Sequence, residues 1–308
     1  MTGVLVQRLL SSAVALVGAL VLVFFILYLL PGDPVLLMLA GTPASPEAIA
    51  NLRHQLGLDQ PLGVQFGRYM LDMLRGDLGK SLVSDDPVLP KILSQFPSTA
   101  ILTLASTAIA VVIGIVLGVL SAIHRGGVLD VAARLVSLFG ISMPTFWSGI
   151  LLILIFSVQL RALPSVGSEG WRTLVLPALA LGTVGAGYIV RMVRNSMLEV
   201  MNEPFIVTLR SKGLPERTVM YRHALRNALI PAITMIGIQI GELMAGAVVV
   251  ETVFSRQGIG RLLATGIMSK DIPVVQGVVL FTAIVYVGIN LLVDISYSAI
   301  DPRVRRSV

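Results

Sequence analysis

The chain has no cysteine among its 308 residues. That absence removes disulfides, thiolate zinc sites, iron–sulfur clusters and cysteine nucleophiles together. Charge is scarce as well: Asp, Glu, Lys and Arg make up 13% of the sequence, against roughly 25% in an ordinary soluble domain. With 55% apolar residues and a mean hydropathy of +0.88, a water-soluble globule of this size would present a largely greasy surface. A soluble enzyme is excluded, as are a disordered tail, a collagen and a disulfide scaffold. Histidine is rare too. His54, His124 and His223 stand apart without metal-ligand spacing, and no serine or carboxylate joins them in a catalytic pattern.

Long runs without charge are what the sequence has in place of these. They cover residues 9–30, 99–123, 135–160, 173–190, 227–250 (interrupted by Glu242) and 272–293 (followed by Asp294), and about 20 apolar residues cross a ~30 Å hydrocarbon core. None alternates with the period of two expected of barrel strands, so helices are the remaining way to satisfy the backbone in lipid. The first run exceeds the 7–15 residues typical of a signal peptide's apolar region and reads as a retained helix. The expectation is an all-α integral membrane protein with six transmembrane helices.

The net charge of +6 raises nucleic acid as a partner, but its distribution argues for topology. With the N-terminus inside, segments 1–8, 124–134, 191–226 and 301–308 hold 13 Lys and Arg against 5 acids, whereas 31–98, 161–172 and 251–271 hold 10 of each. Basic loops stay on the cytoplasmic side. The sequence therefore predicts a multi-pass protein of the cell (inner or plasma) membrane, in contact with lipid and not nucleic acid, with both termini cytoplasmic. Its expected parts are a first transmembrane helix (1–30), an extracytoplasmic cap (31–98), a five-helix core (99–300) enclosing the cytoplasmic loop 191–230, and a cytoplasmic tail (301–308). The cap is rich in Pro and Gly and carries an amphipathic stretch at 65–74, so it reads as a small folded insertion.

Two phosphate-site look-alikes fail on spacing. Gly79-Lys80-Ser81 lacks the glycine five positions earlier, where Leu74 stands, and Gly258-Ile259-Gly260 lacks a third glycine, where Leu263 stands. The inner loop carries the stronger signal. Pro204 opens a short helix to Lys212, Gly213 supplies a turn, and Pro215 opens a second helix running into the fifth span. On the first helix Phe205, Ile206 and Leu209 form an apolar patch beside Arg210 and Lys212. Such a helix suits a protein partner or an anionic lipid surface, and periodicity does not choose between them.

The loop resembles the EAA loop of ABC importer permeases, in particular the B-type transmembrane subunits of dipeptide and oligopeptide importers. The likeness rests on Lys212-Gly213-Leu214, on Arg222 to Leu229 and on Pro231. It extends along nearly the whole chain: Pro31-Gly32-Asp33-Pro34, Leu56 to Pro61, Gly76-Asp77-Leu78-Gly79 with Ser81, Ser142-Met143-Pro144 with Phe146-Trp147, Val249-Val250-Glu251 with Gly258-Ile259-Gly260, Asp271 with Pro273 and Gln276-Gly277, and Asp301-Pro302-Arg303. Two departures stand out. Val207-Thr208-Leu209 occupies the Glu-Ala-Ala positions, and the interval from Gly213 to Pro231 is longer than in sugar importers.

The resemblance implies a type I ABC importer permease fold and a translocation subunit that is not itself an enzyme. It implies a second homologous permease, two ATPase subunits that bind ATP and Mg, an extracytoplasmic peptide-binding protein, and no cofactor on this chain. Phe205, Ile206, Leu209, Arg210, Lys212, Gly213 and Leu214 would form the ATPase-coupling loop. Glu242, Gln239, Thr103 and Ser142 are the candidate translocation-pathway residues. Glu242 is costly in mid-span, by roughly 2.5 kcal/mol or more if charged, so it faces a water-filled path or a hydrogen-bonding neighbour; Asp294 suits an interfacial pairing with Arg303 or Arg305. Gly114 with Gly118 and Gly237 with Gly241 suit tight helix packing, and Gly182, Gly185 and Gly187 offer a bend in the fourth span. Nickel is the competing substrate, and a proton-coupled secondary transporter the competing class; the latter calls for inverted repeats, which the sequence lacks.

Overall fold

The computed structural model describes residues 2–29, 35, 45–55 and 57–300. Pro31-Gly32-Asp33-Pro34, Leu56 and the tail with Asp301, Arg303 and Arg305 lie outside the described residues, as does the side chain of Asp294. The described chain is helical: α1 Thr2–Leu29, α2 Pro46–Gln55, α3 Leu62–Leu74, α4 Val88–Ile123, α5 Val128–Ser142, α6 Thr145–Leu152, α7 Arg172–Met201, α8 Pro204–Ser211, α9 Glu216–Val253, α10 Ile259–Met268 and α11 Ile272–Ile300. No β-strand occurs among the described residues; the only strand-like pairing there is a single bridge from Lys80 to Pro87.

Among the described residues four helices, α4, α7, α9 and α11, are long and apolar enough to cross a membrane. The apolar run 135–160 is not one rod. Its residues divide between α5 and a second arm, α6 continued by a wide π turn over Ile153–Gln159, bent by 111° at the break. Proline explains the break: Met143 is pushed to an extended conformation (φ −81°, ψ 131°) by Pro144, which has no N–H to continue the helix. Counting the bent pair as one span gives five crossings among the described residues; α1, 28 residues long, adds a shorter apolar stretch over Leu10–Phe25 where the sixth is expected.

By contacts the chain forms two compact units. One contains Ser98–Gly260 with Gly288–Val308, the other Thr2–Pro97 with Arg261–Val287. In the first, α4 and α7 approach through glycine. A Cβ on Gly114 would stand 2.4 Å from Ile189 Cγ2, and one on Gly118 2.8 Å from Val193 Cβ. The glycines of α7 are packing points as well: a Cβ on Gly187 would meet the Ser137 carbonyl at 2.7 Å, and α7 runs unbroken through them.

This unit has two apolar cores. One contains Val119 and Ala122 of α4, Val193 and Met197 of α7, Ile206 of α8, and Val219, Met220 and Ala224 of α9. The other gathers Leu102, Leu176, Leu181, Leu243, Val250 and Phe254. The first lies at the end carrying α8, the loop end.

In the second unit Phe24 of α1 stacks edge-on against Phe66 of α3, with ring centroids 5.2 Å apart. The Gly76 to Ser81 motif is a turn. Gly76 and Gly79 take positive φ (77° and 74°), and the Gly79 N–H donates to Asp77 Oδ1 at 2.9 Å. Ser81 Oγ then donates to Asp271, whose other oxygen accepts from the Leu82 N–H at 3.0 Å. The string that resembles a phosphate loop thus binds a carboxylate of its own chain. Nearby, the Ser84 hydroxyl and the Lys91 ammonium hold the exposed Asp86 carboxyl below its ordinary range.

Candidate coupling surface and buried polar anchors

The short helix α8 forms where its caps place it. Glu203 is extended at the N-cap, Pro204 takes the first position, and Gly213 closes the helix at φ +76°. The Gly213 N–H reaches the Arg210 carbonyl at 2.9 Å, and the Leu214 N–H reaches Leu209 at 3.3 Å.

Burial divides the predicted patch. Ile206 is fully buried, and Leu209 and Leu214 pack against its cluster. Phe205 and Val207 are exposed at 39% and 57%. The expected outward patch of Phe205, Ile206 and Leu209 is therefore corrected: positions 206 and 209 lie one turn apart on the face the core takes, and the apolar surface left outside is Phe205 and Val207. Thr208, Ser211, Lys212 and Gly213 are exposed beside them.

Arg210 braces the turn. Its Nη2 and Nε donate to the two oxygens of Glu216 at 2.7 and 3.1 Å, and this bonding holds the Glu216 carboxyl below its ordinary range. Glu216 lies ahead of the apolar run that begins at 227.

Beyond the turn, the second helix is not regular from the start. Val219–Ala224 adopts a π turn, whose i→i+5 spacing brings Val219 and Ala224 to the same buried face with Met220.

The four candidate pathway residues do not form one lining by any described hydrogen bond. Gln239 is buried and donates through Nε2 to Glu242 Oε2 at 3.0 Å, while Glu242 itself is exposed on the protein surface. That partner lies one turn back on the same helix and not on a neighbouring one. Thr103 is buried with its hydroxyl unpaired, and its carbonyl accepts from Thr107. Ser142 is exposed where α5 stops at the bend.

Two buried carboxylates in the first unit were not singled out by sequence reasoning as sites. At the loop end Asp130 accepts from Ser121 Oγ of α4 at 2.6 Å, from the Gly126 N–H at 2.9 Å, and from Arg194 Nε and Nη2 of α7 at 2.8 and 3.0 Å. An acid in the first turn of a helix that follows Gly126-Gly127 was the available signal. At the other end Glu251 accepts from Thr99 Oγ1 at 2.6 Å and from the Gly260 N–H at 2.9 Å. Thr99 in turn accepts from the Ile259 N–H at 2.9 Å. Gly258 is fitted against this carboxylate so closely that a Cβ would lie 2.2 Å from Oε1. The Val-Val-Glu and Gly-Ile-Gly segments are thus halves of one knot. Arg256 is buried beside Glu251 with Nε and Nη1 unpaired, and burial lowers its pKa while the Glu251 charge opposes the shift.

Helices of membrane length, one pair of them bent, with a short capped helix tied into their core make this a helical membrane protein. Family models place it. Residues 114–306 match the binding-protein-dependent transport system inner membrane component, and residues 1–103 match the N-terminal membrane component of the same systems. The chain belongs to this family: it is a permease subunit of a binding-protein-dependent ABC importer, an inner-membrane component that works with other subunits and is not an enzyme.

Relatives match end to end. The glutathione transport system permease protein GsiC of Salmonella paratyphi A (strain ATCC 9150 / SARB42) is 44% identical, and a putative peptide transport system permease of Brucella abortus (strain 2308) 42%, each with 99% of both chains covered. Among solved structures, an inward-facing form of the MetNI methionine ABC transporter superposes with a TM-score of 0.60 at 22% identity, covering 70% of this chain and 98% of that one. At that identity the likeness shows the type I permease fold alone.

Proposed function

We propose that this chain forms the peptide-translocating half of a membrane pore, importing di- or oligopeptides delivered by an extracytoplasmic binding protein. It pairs with a second, similar permease and with two cytoplasmic ATPase subunits that carry the ATP and Mg, and its termini and α8 face the cytoplasm. The relatives named for glutathione and peptide transport support the substrate class, and the basic surplus of the inner segments supports the orientation. The observation that carries the coupling role is the division of α8. Ile206 ties the helix into the core shared by α4, α7 and α9, while Phe205, Val207, Thr208 and Lys212 face outward as a rigid knob. A partner that pushes on this knob pushes on three membrane helices.

Glu242 fits the same reading. An exposed carboxylate in the middle of a span calls for water or a partner chain, so it belongs on the peptide path or against the second permease.

The test is reconstitution with both permeases, both ATPases and binding protein in proteoliposomes. Peptide-loaded binding protein should stimulate ATP hydrolysis and fill the vesicles with peptide, and Val207→Asp should abolish both while the permeases still insert. Peptide uptake by this chain alone on a proton gradient, without ATPases, would overturn the reading.

A further inference from the structure

The apolar core that receives Ile206 draws on α4, α7, α8 and α9, and no residue of α5 belongs to it. Yet α5 leads straight into the 111° bend of the broken span. Of the three residues buried on α5, Asp130 and Ser137 are polar and the third is the small Ala133. Asp130, 1% exposed, sits in the first turn of α5 and binds Ser121 in the last turn of α4, the Gly126 amide of the connecting turn, and both Nε and Nη2 of Arg194. Arg134, one turn on, adds a longer contact at 3.4 Å. Further along, Ser137 Oγ donates to the Gly187 carbonyl of α7 at 2.7 Å. Arg194 stands on α7 ten residues before Pro204, with Val193 and Met197 on either side of it inside the α8 core.

We infer that Asp130 is the positioning residue that makes α5, and through it the bent span, follow the coupling helix. The inference rests on the coupling role proposed above for α8. An apolar contact between α5 and the core could slide as α8 is pushed. A buried carboxylate held by a two-point guanidinium and a helix-end hydroxyl cannot slide, because each lost bond leaves a buried polar group unmet. Asp130 therefore converts displacement of α7 into displacement of α5 without touching substrate or ATPase.

The experiment uses the complete importer in proteoliposomes and exploits the absence of native cysteine in this chain. Spin labels at Leu138→Cys on α5 and Ser211→Cys on α8, both exposed positions, report the distance between the two helices with and without trapped ATP; peptide transported per ATP hydrolysed is measured in parallel. In the otherwise native chain the distance should stay fixed through the cycle. With Asp130→Asn it should change on ATP trapping, and peptide moved per ATP should fall by at least about fivefold, the lower bound of ordinary coupling energies, while stimulated hydrolysis persists. Arg194→Lys, which keeps the charge and loses the two-point grip, carries the same test if Asp130→Asn fails to accumulate.

An unchanged distance and an unchanged transport-to-hydrolysis ratio in the variant overturn the inference, as does a proportional loss of transport and hydrolysis. If the native complex shows no stimulated hydrolysis at all, the coupling role of α8 fails first, and this inference with it.

Discussion

Asp130 and Glu251 are both buried acids in the same compact unit, and they are satisfied in different ways. Asp130 is gripped by a guanidinium from another helix, with a hydroxyl from a third. Glu251 accepts from a hydroxyl and from the backbone of the loop that follows it, and the nearby Arg256 leaves Nε and Nη1 unbonded. The first arrangement joins separate helices by charge. The second stitches one turn against α4 by shape, with Gly258 leaving no room for a side chain. A link made by charge can transmit motion between rods, whereas a knot made with backbone holds a corner still.

Glycine substitution should separate the two most sharply. Gly258→Val forces a side chain into the Glu251 carboxylate and should cost about 3 kcal/mol, read as a lowered unfolding temperature of the detergent-purified chain. Gly126→Val has the Asp130 turn's positive φ to strain, at 78°, but open space around it, and should cost about 1–2 kcal/mol. The reverse order would mean that packing does not govern the Glu251 corner.

A double-mutant cycle addresses the charges. Asp130→Asn and Arg194→Gln should couple by about 2 kcal/mol in thermal unfolding, because each removes the same contact. Glu251→Gln and Arg256→Gln should couple less, since no bond joins Nε or Nη1 of Arg256 to the carboxylate. Equal coupling at both ends would erase the distinction.

Hydroxyl deletion comes next in size. Thr99→Val removes a donor to Glu251 and the acceptor of the Ile259 N–H together, at about 2 kcal/mol, while Ser121→Ala leaves Asp130 its other donors and should cost about 1 kcal/mol.

The smallest effect belongs to the exposed pair of Arg210 and Glu216, where Glu216→Gln should cost under about 1 kcal/mol. Because the pair lowers the Glu216 pKa, its contribution is present above the ordinary carboxylate value of 4.5 and disappears as pH falls through the depressed one. A pH series of unfolding temperatures should therefore bring Glu216→Gln and the native chain together only in acid.

Much of this was legible in the residues. The apolar runs at 99–123 and 227–250 became parts of α4 and α9, because a helix in lipid needs little besides apolar length. The caps of α8 were legible because Pro204 and Gly213 act locally. The 111° bend was spelled out by Met143-Pro144, yet the unbroken apolar run hid it: hydropathy reports where lipid is and says nothing of direction. Ile206 misled for a related reason. Periodicity shows that a helix has an apolar face, but whether that face meets its own core or a partner depends on residues far along the chain.

Composition, the absence of cysteine and the placement of charge were sufficient to determine a helical membrane protein with one basic surface loop, since solvation and local backbone preference act residue by residue. The choice of which acid becomes a link and which a knot was tertiary. Asp130 meets an arginine 64 positions away and Glu251 a threonine 152 positions away, and such meetings exist only after the helices have packed.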